Sequence, residues 1–271
     1  MPELPEVETT LRGIEPYLQS QTITDIIIRD NRLRWPVPES FKMEAKNQVI
    51  KSVKRRGKYI LIETPDGTII LHLGMSGNLR ILPENSTVKK HDHIDIILSS
   101  KHCLRFHDPR RFGACLWTKG DPLDHKLLIN LGPEPWDDEF NAHNLHKQSR
   151  QRRIAIKNFI MDSKIVVGVG NIYASEALFL SGINPNNAAG KISLKRYEAL
   201  VTAIQVILDQ AIKQGGTTLR DFTNSSGEPG YFKQELSVYG REGEPCNKCN
   251  EPVRKKVIGQ RSSFYCVKCQ S

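Results

Sequence analysis

The chain has 271 residues, 38% of them hydrophobic and 25% charged, a length that suits about two globular domains with cores of their own. Thirty-nine lysines and arginines against 30 acidic residues give a formal charge of +9, which favours a polyanionic partner, either nucleic acid or an anionic membrane surface. No apolar run approaches a membrane span, and Glu3, Glu6 and Glu8 make the opening acidic where a signal peptide would be basic and then apolar, so the expectation is a soluble cytoplasmic protein.

The first predicted element is a helix. Pro5 suits its first turn, Glu6 and Glu8 complement its dipole, and Leu4, Val7, Leu11 and Ile14 recur at helical spacing. Removal of Met1 would leave Pro2 as a terminal secondary amine. With a reference pKa of about 8, a usable fraction of that amine is unprotonated near neutrality. It can attack an aldehyde-like sugar carbon and form an iminium directly. Glu3 and Glu6 fall beside it. By local chemistry alone, the segment reads first as a well-started surface helix.

Residues 22–118 read as strands. Tyr59-Ile60-Leu61-Ile62 and Thr68-Ile69-Ile70-Leu71 flank the turn Pro65-Asp66-Gly67, and residues 93–98 and 103–106 form another alternating pair, so a β-sandwich is predicted. Lys54, Arg55, Arg56 and Lys58 cluster at a strand start, as charges on a sheet edge do. His91 and His93 have the spacing of one strand face, but two histidines without a third nearby ligand make no metal site. Asp108-Pro109-Arg110-Arg111-Phe112-Gly113 reads as a tight turn. Taken singly, Met75 and Phe112 are core candidates.

Gly132-Pro133-Glu134-Pro135 marks a linker, beyond which the period turns helical. Arg150, Arg152, Arg153 and Lys157 read as a solvated helix face. Val167-Gly168-Val169-Gly170-Asn171 precedes a helix ending near Gly182, where backbone amides and the helix dipole could face a phosphate or simply make a turn. Ser193 suits the N-cap of a long helix with Leu194, Tyr197, Leu200, Val201, Ile204, Ile207, Leu208 and Ala211 on one face, ended by Gly215-Gly216. The Gly-, Thr- and Ser-rich stretch 215–232 reads as a flexible loop.

Cys246, Cys249, Cys266 and Cys269 form two C-x2-C pairs separated by 16 residues. Four thiolates so spaced suit tetrahedral zinc, with a hairpin between the pairs; a disulfide framework would need an oxidising compartment. Four sulfur ligands leave no open position, so one structural Zn2+ is predicted. From residue 240 onward, seven basic residues face three acidic ones, a balance that suits phosphate.

The opening Pro2-Glu3-Leu4-Pro5-Glu6 resembles that of the formamidopyrimidine-DNA glycosylase family, and the likeness continues through Arg56-Gly57-Lys58-Tyr59, Leu73-Gly74-Met75-Ser76-Gly77, residues 108–113, 167–171 and the four cysteines. The resemblance implies an α+β multidomain fold: a catalytic β-sandwich domain over residues 1–133, a helix-two-turn-helix domain over 134–236, and a zinc-ribbon hairpin over 237–271. It implies a monomer that excises oxidised purines from duplex DNA and cleaves the strand. Pro2 would be the nucleophile, Glu3 the general acid, Glu6 an orienting group and Lys58 a proton donor. Arg261, in Gly259-Gln260-Arg261-Ser262, would bind phosphates beside the lesion and serve the final elimination. Met75, Arg110 and Phe112 would fill the gap left by the extruded nucleotide, and His91, Arg152, Lys157 and Asn171 would contact DNA. Two alternatives remain at this stage: the sister family acting on oxidised pyrimidines, and a non-catalytic zinc-finger DNA-binding protein, which would not require Pro2, Glu3 and Lys58.

Overall fold

Helix α1 (Leu4–Leu18) opens the computed structural model, which describes residues 2–215 and 236–271. Pro5 lies in its first turn, and Leu4, Val7, Leu11, Ile14 and Leu18 are buried, as the 3.6-residue period requires. The described chain divides into two compact units, one reaching Ile129 and the other formed by Asn130–Lys213 and residues 236–271.

The first unit is a sandwich of two antiparallel four-stranded sheets. One has the order β1 (Ile23–Ile28), β6 (Asp92–Leu98), β7 (His102–His107), β5 (Asn78–Pro83). The other runs β2 (Ser52–Arg56), β3 (Tyr59–Glu63), β4 (Thr68–His72), β8 (Ala114–Thr118), and a short helix α2 (Phe41–Ala45) follows β1 in the chain. Alternate residues of both sheets, Ile60 and Ile62, Ile69 and Leu71, Ile94 and Ile96, Leu104 and Phe106, enter one core with the inner face of α1. The basic cluster occupies edge strand β2 itself: Arg55 pairs with Glu8 of α1 at 2.8 Å and Lys54 with Glu63 of β3 at 2.8 Å. Lys58 lies just past it, in the turn to β3.

The expectation that His91 and His93 share a strand face needs correction. His93 lies in β6, but His91 precedes the strand at φ 74, and the β6–β7 register shifts between Asp92 and Ile94. A bulge there breaks the two-residue period that the spacing argument assumed.

The second unit holds α3 (Ala142–Ser149), α4 (Ile156–Met161), α5 (Asn171–Leu180) and α6 (Leu194–Lys213), with the hairpin β9 (Arg254–Ile258) and β10 (Arg261–Tyr265). The basic run 150–157 is not one helix face: α3 ends at Ser149, Arg152 and Arg153 are exposed on the connection, and Lys157 is fully buried in α4. Glu176 of α5, itself buried, accepts the backbone N–H groups of Ser237, Val238 and Tyr239 at 2.8, 3.0 and 2.8 Å, anchoring the lead into the cysteine module. The stretch 215–232 lies, beyond Gly215, outside the described residues. No described helix is long and apolar enough to cross a membrane.

Candidate active site and nucleic-acid interface

At the start of α1 the sequence supplies Glu at both the N-cap and the third helical position. The two close a reciprocal capping box: Glu3 accepts from the Glu6 N–H, and the Glu6 carboxylate accepts from the Glu3 N–H at 2.8 Å. Both are buried, at 2% and 0% exposure. The box fixes both carboxylates at the start of the helix, and Glu6 holds the peptide N–H that directly follows Pro2. In the sequence the box shows only as E-x-x-E, a weak signal because a capping box ordinarily has Ser or Thr at the cap.

In the same unit, Lys58 stands near His72 at the end of β4. Burial, then the Lys58 and Arg34 charges, pulls the His72 imidazole down to about 4. It is therefore neutral at pH 7, and its Nδ1 accepts the Gly74 N–H at 3.0 Å. Gly74, at φ +66, begins the turn that carries half-buried Met75, and its backbone lies so close to Phe112 that a Cβ would stand 2.4 Å from the Phe112 carbonyl carbon. Only glycine fits that approach.

The turn 108–113 exposes Arg110 and Phe112. Phe112 is 43% exposed, and the Arg110 guanidinium lies 5.0 Å from its ring centroid. Phe112 is thus not the core residue its type suggests. Arg111, at φ 57, turns back to pair with Asp30 at 3.2 Å. His91 stands beside this turn, its carbonyl accepting the Asp108 N–H at 3.1 Å. Desolvation and the neighbouring Lys90, His107, His93 and Arg111 lower its pKa. Met75, His91, Arg110 and Phe112, from three separate stretches, therefore meet at one end of the sandwich.

In the second unit, the Lys157 ammonium donates to Asn171 Oδ1 at 2.6 Å, Ser263 Oγ at 2.7 Å and the Ser262 carbonyl at 3.1 Å, and Asn171 Nδ2 reaches the same carbonyl at 3.1 Å. Lys157 and Asn171 thus join α4 and α5 to β10. The residue before Ser262 is Arg261, exposed behind a two-residue turn in which Gly259 and Gln260 have φ 55 and 60. That tip packs on Asn158 of α4, whose side chain a Cβ at Gly259 would meet at 2.4 Å. Arg152 is exposed on the connection before α4, its guanidinium 5.6 Å from the Phe159 ring centroid.

The Sγ atoms of Cys246, Cys249, Cys266 and Cys269 all lie within 4.8 Å of one another. The 246–269 and 249–266 separations are 3.9 and 3.5 Å, far beyond a disulfide bond and close to the roughly 3.8 Å expected for sulfurs about 2.3 Å from a tetrahedral zinc centre. The Lys248 N–H points to Cys246 Sγ at 3.4 Å, and Gln270 links the Cys266 N–H to the Ile183 carbonyl, so the cage is braced from outside. The residues fit a four-thiolate metal ion.

Comparison with known proteins agrees along the chain. The model of the formamidopyrimidine-DNA glycosylase N-terminal domain matches residues 1–115, and that of the formamidopyrimidine-DNA glycosylase H2TH domain matches residues 131–223. Formamidopyrimidine-DNA glycosylases of Syntrophotalea carbinolica and Alteromonas mediterranea are 54% and 55% identical over 270 residues, with all of each chain covered. Among solved structures, the MutM (Fpg) protein of Thermus thermophilus superposes with a TM-score of 0.88 at 33% identity, over 99% of this chain and 98% of that one. Lactococcus lactis Fpg bound to DNA containing an abasic site gives 0.90 at 32% identity over 99% of each chain. A mutant of the Lactococcus protein bound to Fapy-dG containing DNA gives 0.92 at 32% identity over the whole of both.

Proposed function

The chain belongs to the formamidopyrimidine-DNA glycosylase family, and from that premise we propose that it extrudes oxidised purines from duplex DNA, removes them through a Schiff base on Pro2, and cleaves the strand. The observation that carries the reading is the exposed pair Arg110 and Phe112 on a braced turn beside Met75. A phenyl ring held in solvent against a guanidinium suits a wedge for a base step and a hydrogen-bonding partner for an orphaned base.

The Pro2 nitrogen attacks C1′ of the extruded nucleotide while Glu3 passes a proton to the departing base, so the N-glycosidic bond breaks as the C–N bond to proline forms. The proline nitrogen then loses its proton and its lone pair expels ring O4′, which takes up that proton through Glu3, so the C1′–O4′ bond opens to an iminium that acidifies the C2′ proton. Its loss expels the 3′ phosphate by β-elimination, and δ-elimination then expels the 5′ phosphate, leaving a one-nucleotide gap. Lys58 serves proton transfer during strand cleavage, and Arg261 holds the phosphates for the last step. Glu6 keeps the amine oriented through its bond to the Glu3 N–H. His91, Arg152 and Asn171 contact the DNA; Lys157, expected as a further contact, is buried and acts from within by holding Asn171 and β10 in place, and Zn2+ on the four cysteines would hold the hairpin of Arg261 without entering the chemistry. The reading carries with it a monomeric, cytoplasmic enzyme.

The test is product analysis on duplexes carrying either 8-oxoguanine opposite cytosine or an oxidised pyrimidine. Release of 8-oxoguanine with a β,δ-elimination gap supports the reading. Preference for the pyrimidine would move the chain to the sister specificity, and binding without cleavage would make it a silent DNA-binding protein.

A further inference from the structure

We propose that Asp108 is a positioning residue that locks the two gap-filling loops, 74–77 and 109–113, into one preformed wedge; this rests on the assignment of Met75, Arg110 and Phe112 made above. Asp108 is fully buried. Its carboxylate divides between the loops: Oδ1 accepts from Ser76 Oγ at 3.0 Å, and Oδ2 accepts from the Gly113 N–H at 2.8 Å. Ser76 adjoins Met75, and Gly113 adjoins Phe112. The backbone of Asp108 extends the same clamp, its N–H donating to the His91 carbonyl at 3.1 Å and its carbonyl meeting His93 Nε2 at 2.8 Å and the Arg111 N–H at 3.2 Å. One side chain and its peptide groups thus join the stretches that bear all three gap-filling residues and His91.

Extruding a nucleotide is unfavourable until the vacated space is filled. If the two loops moved independently, the entropy of fixing each would oppose that step. A wedge assembled during folding has already met it, as preorganised binding surfaces do. The carboxylate is met by a hydroxyl and a backbone N–H rather than a cation, so its geometry and not its charge is what the loops use. Asparagine can reproduce that geometry, with Oδ1 accepting from Gly113 and Nδ2 donating to Ser76 Oγ, because a hydroxyl both donates and accepts. Alanine cannot.

The experiment compares single-turnover excision of 8-oxoguanine from a duplex with strand cleavage at an abasic site in single-stranded DNA, which has no void to fill. D108A should lower the duplex-to-single-strand rate ratio by at least about tenfold, S76A, which removes one link alone, by about threefold, and D108N should stay within about twofold of the parent. A 2-aminopurine beside the lesion should brighten slowly with D108A and at the parent rate with D108N. The inference is overturned if D108A lowers both rates equally, if the S76A ratio matches the parent's, or if D108N is as damaging as D108A. A parent protein that cleaves neither substrate would instead overturn the functional reading and take the inference with it.

Discussion

Replacing Asp95 by alanine should cost more than removal of any surface charge on the molecule. Asp95 is 1% exposed and faces Arg105, its cross-strand neighbour on β7. It accepts Arg105 Nε and Nη2 at 2.8 Å each and Arg29 Nη2 at 2.6 Å. Burial alone would raise its pKa, yet the two guanidiniums hold it below the usual carboxylate range. In D95A, Arg105, also 1% exposed, keeps, among the described residues, only Asp92 at 3.5 Å as a counter-charge. Breaking a buried pair from one side costs about 3–5 kcal/mol, and the residual Asp92 contact points to the lower end. At roughly 3–5 °C per kcal/mol for a unit of this size, the melting temperature should fall by about 10–15 °C in calorimetry. The double variant D95L/R105M should recover most of the loss, because well-packed apolar replacements of buried ion pairs are often neutral. Arg105 also donates to the carbonyls of Ser86 and Thr87, a few residues before His91, so D95A should weaken duplex binding as well. A loss under about 1 kcal/mol, or a double variant as damaged as the single, would refute the argument.

Three further outcomes follow from the same geometry. His72 has a folded pKa of about 4, below its unfolded value near 6.5, so its contribution is intact above pH 6.5 and lost as pH falls from there to 4, by up to about 3 kcal/mol; pH-dependent denaturation of H72N should lack that slope. Cys249→Ser should release one zinc per chain, measured by atomic emission, and melt the hairpin of Arg261, since metal binding supplies about 10–16 kcal/mol in small zinc modules. Duplex affinity should fall steeply with salt, each of R152A and R261A reducing the log–log slope by about 1, and a slope unchanged by both would remove them from the phosphate contacts.

What the sequence revealed was what local spacing encodes. The α1 stripe of Leu4, Val7, Leu11 and Ile14, the strands around Pro65-Asp66-Gly67 and the doubled C-x2-C each depend on neighbours a few residues apart, and each stands where its period placed it. What was missed depends on distant partners. Nothing in Arg-Ile-Ala-Ile-Lys distinguishes a solvated Lys157 from a buried one, because its acceptors Ser262 and Ser263 lie more than 100 residues away. Nothing local marks Asp95, Arg105 or Glu176 as buried either, because the guanidiniums and backbone N–H groups that satisfy them come from other stretches of the chain. Phe112 erred the other way: its type argues for the core, and only the turn exposes it. The His91 spacing misled because a bulge interrupts the strand period.

The most direct test of the account is borohydride trapping on a duplex bearing 8-oxoguanine opposite cytosine, comparing the protein whose N-terminus is Pro2 with one carrying an N-terminal extension. Extension is a sharper change than Pro2→Ala, because alanine still presents an amine. The account predicts a covalent protein–DNA adduct that maps to Pro2 and vanishes on extension. An adduct that maps to a lysine, or persists when the terminus is blocked, would contradict it.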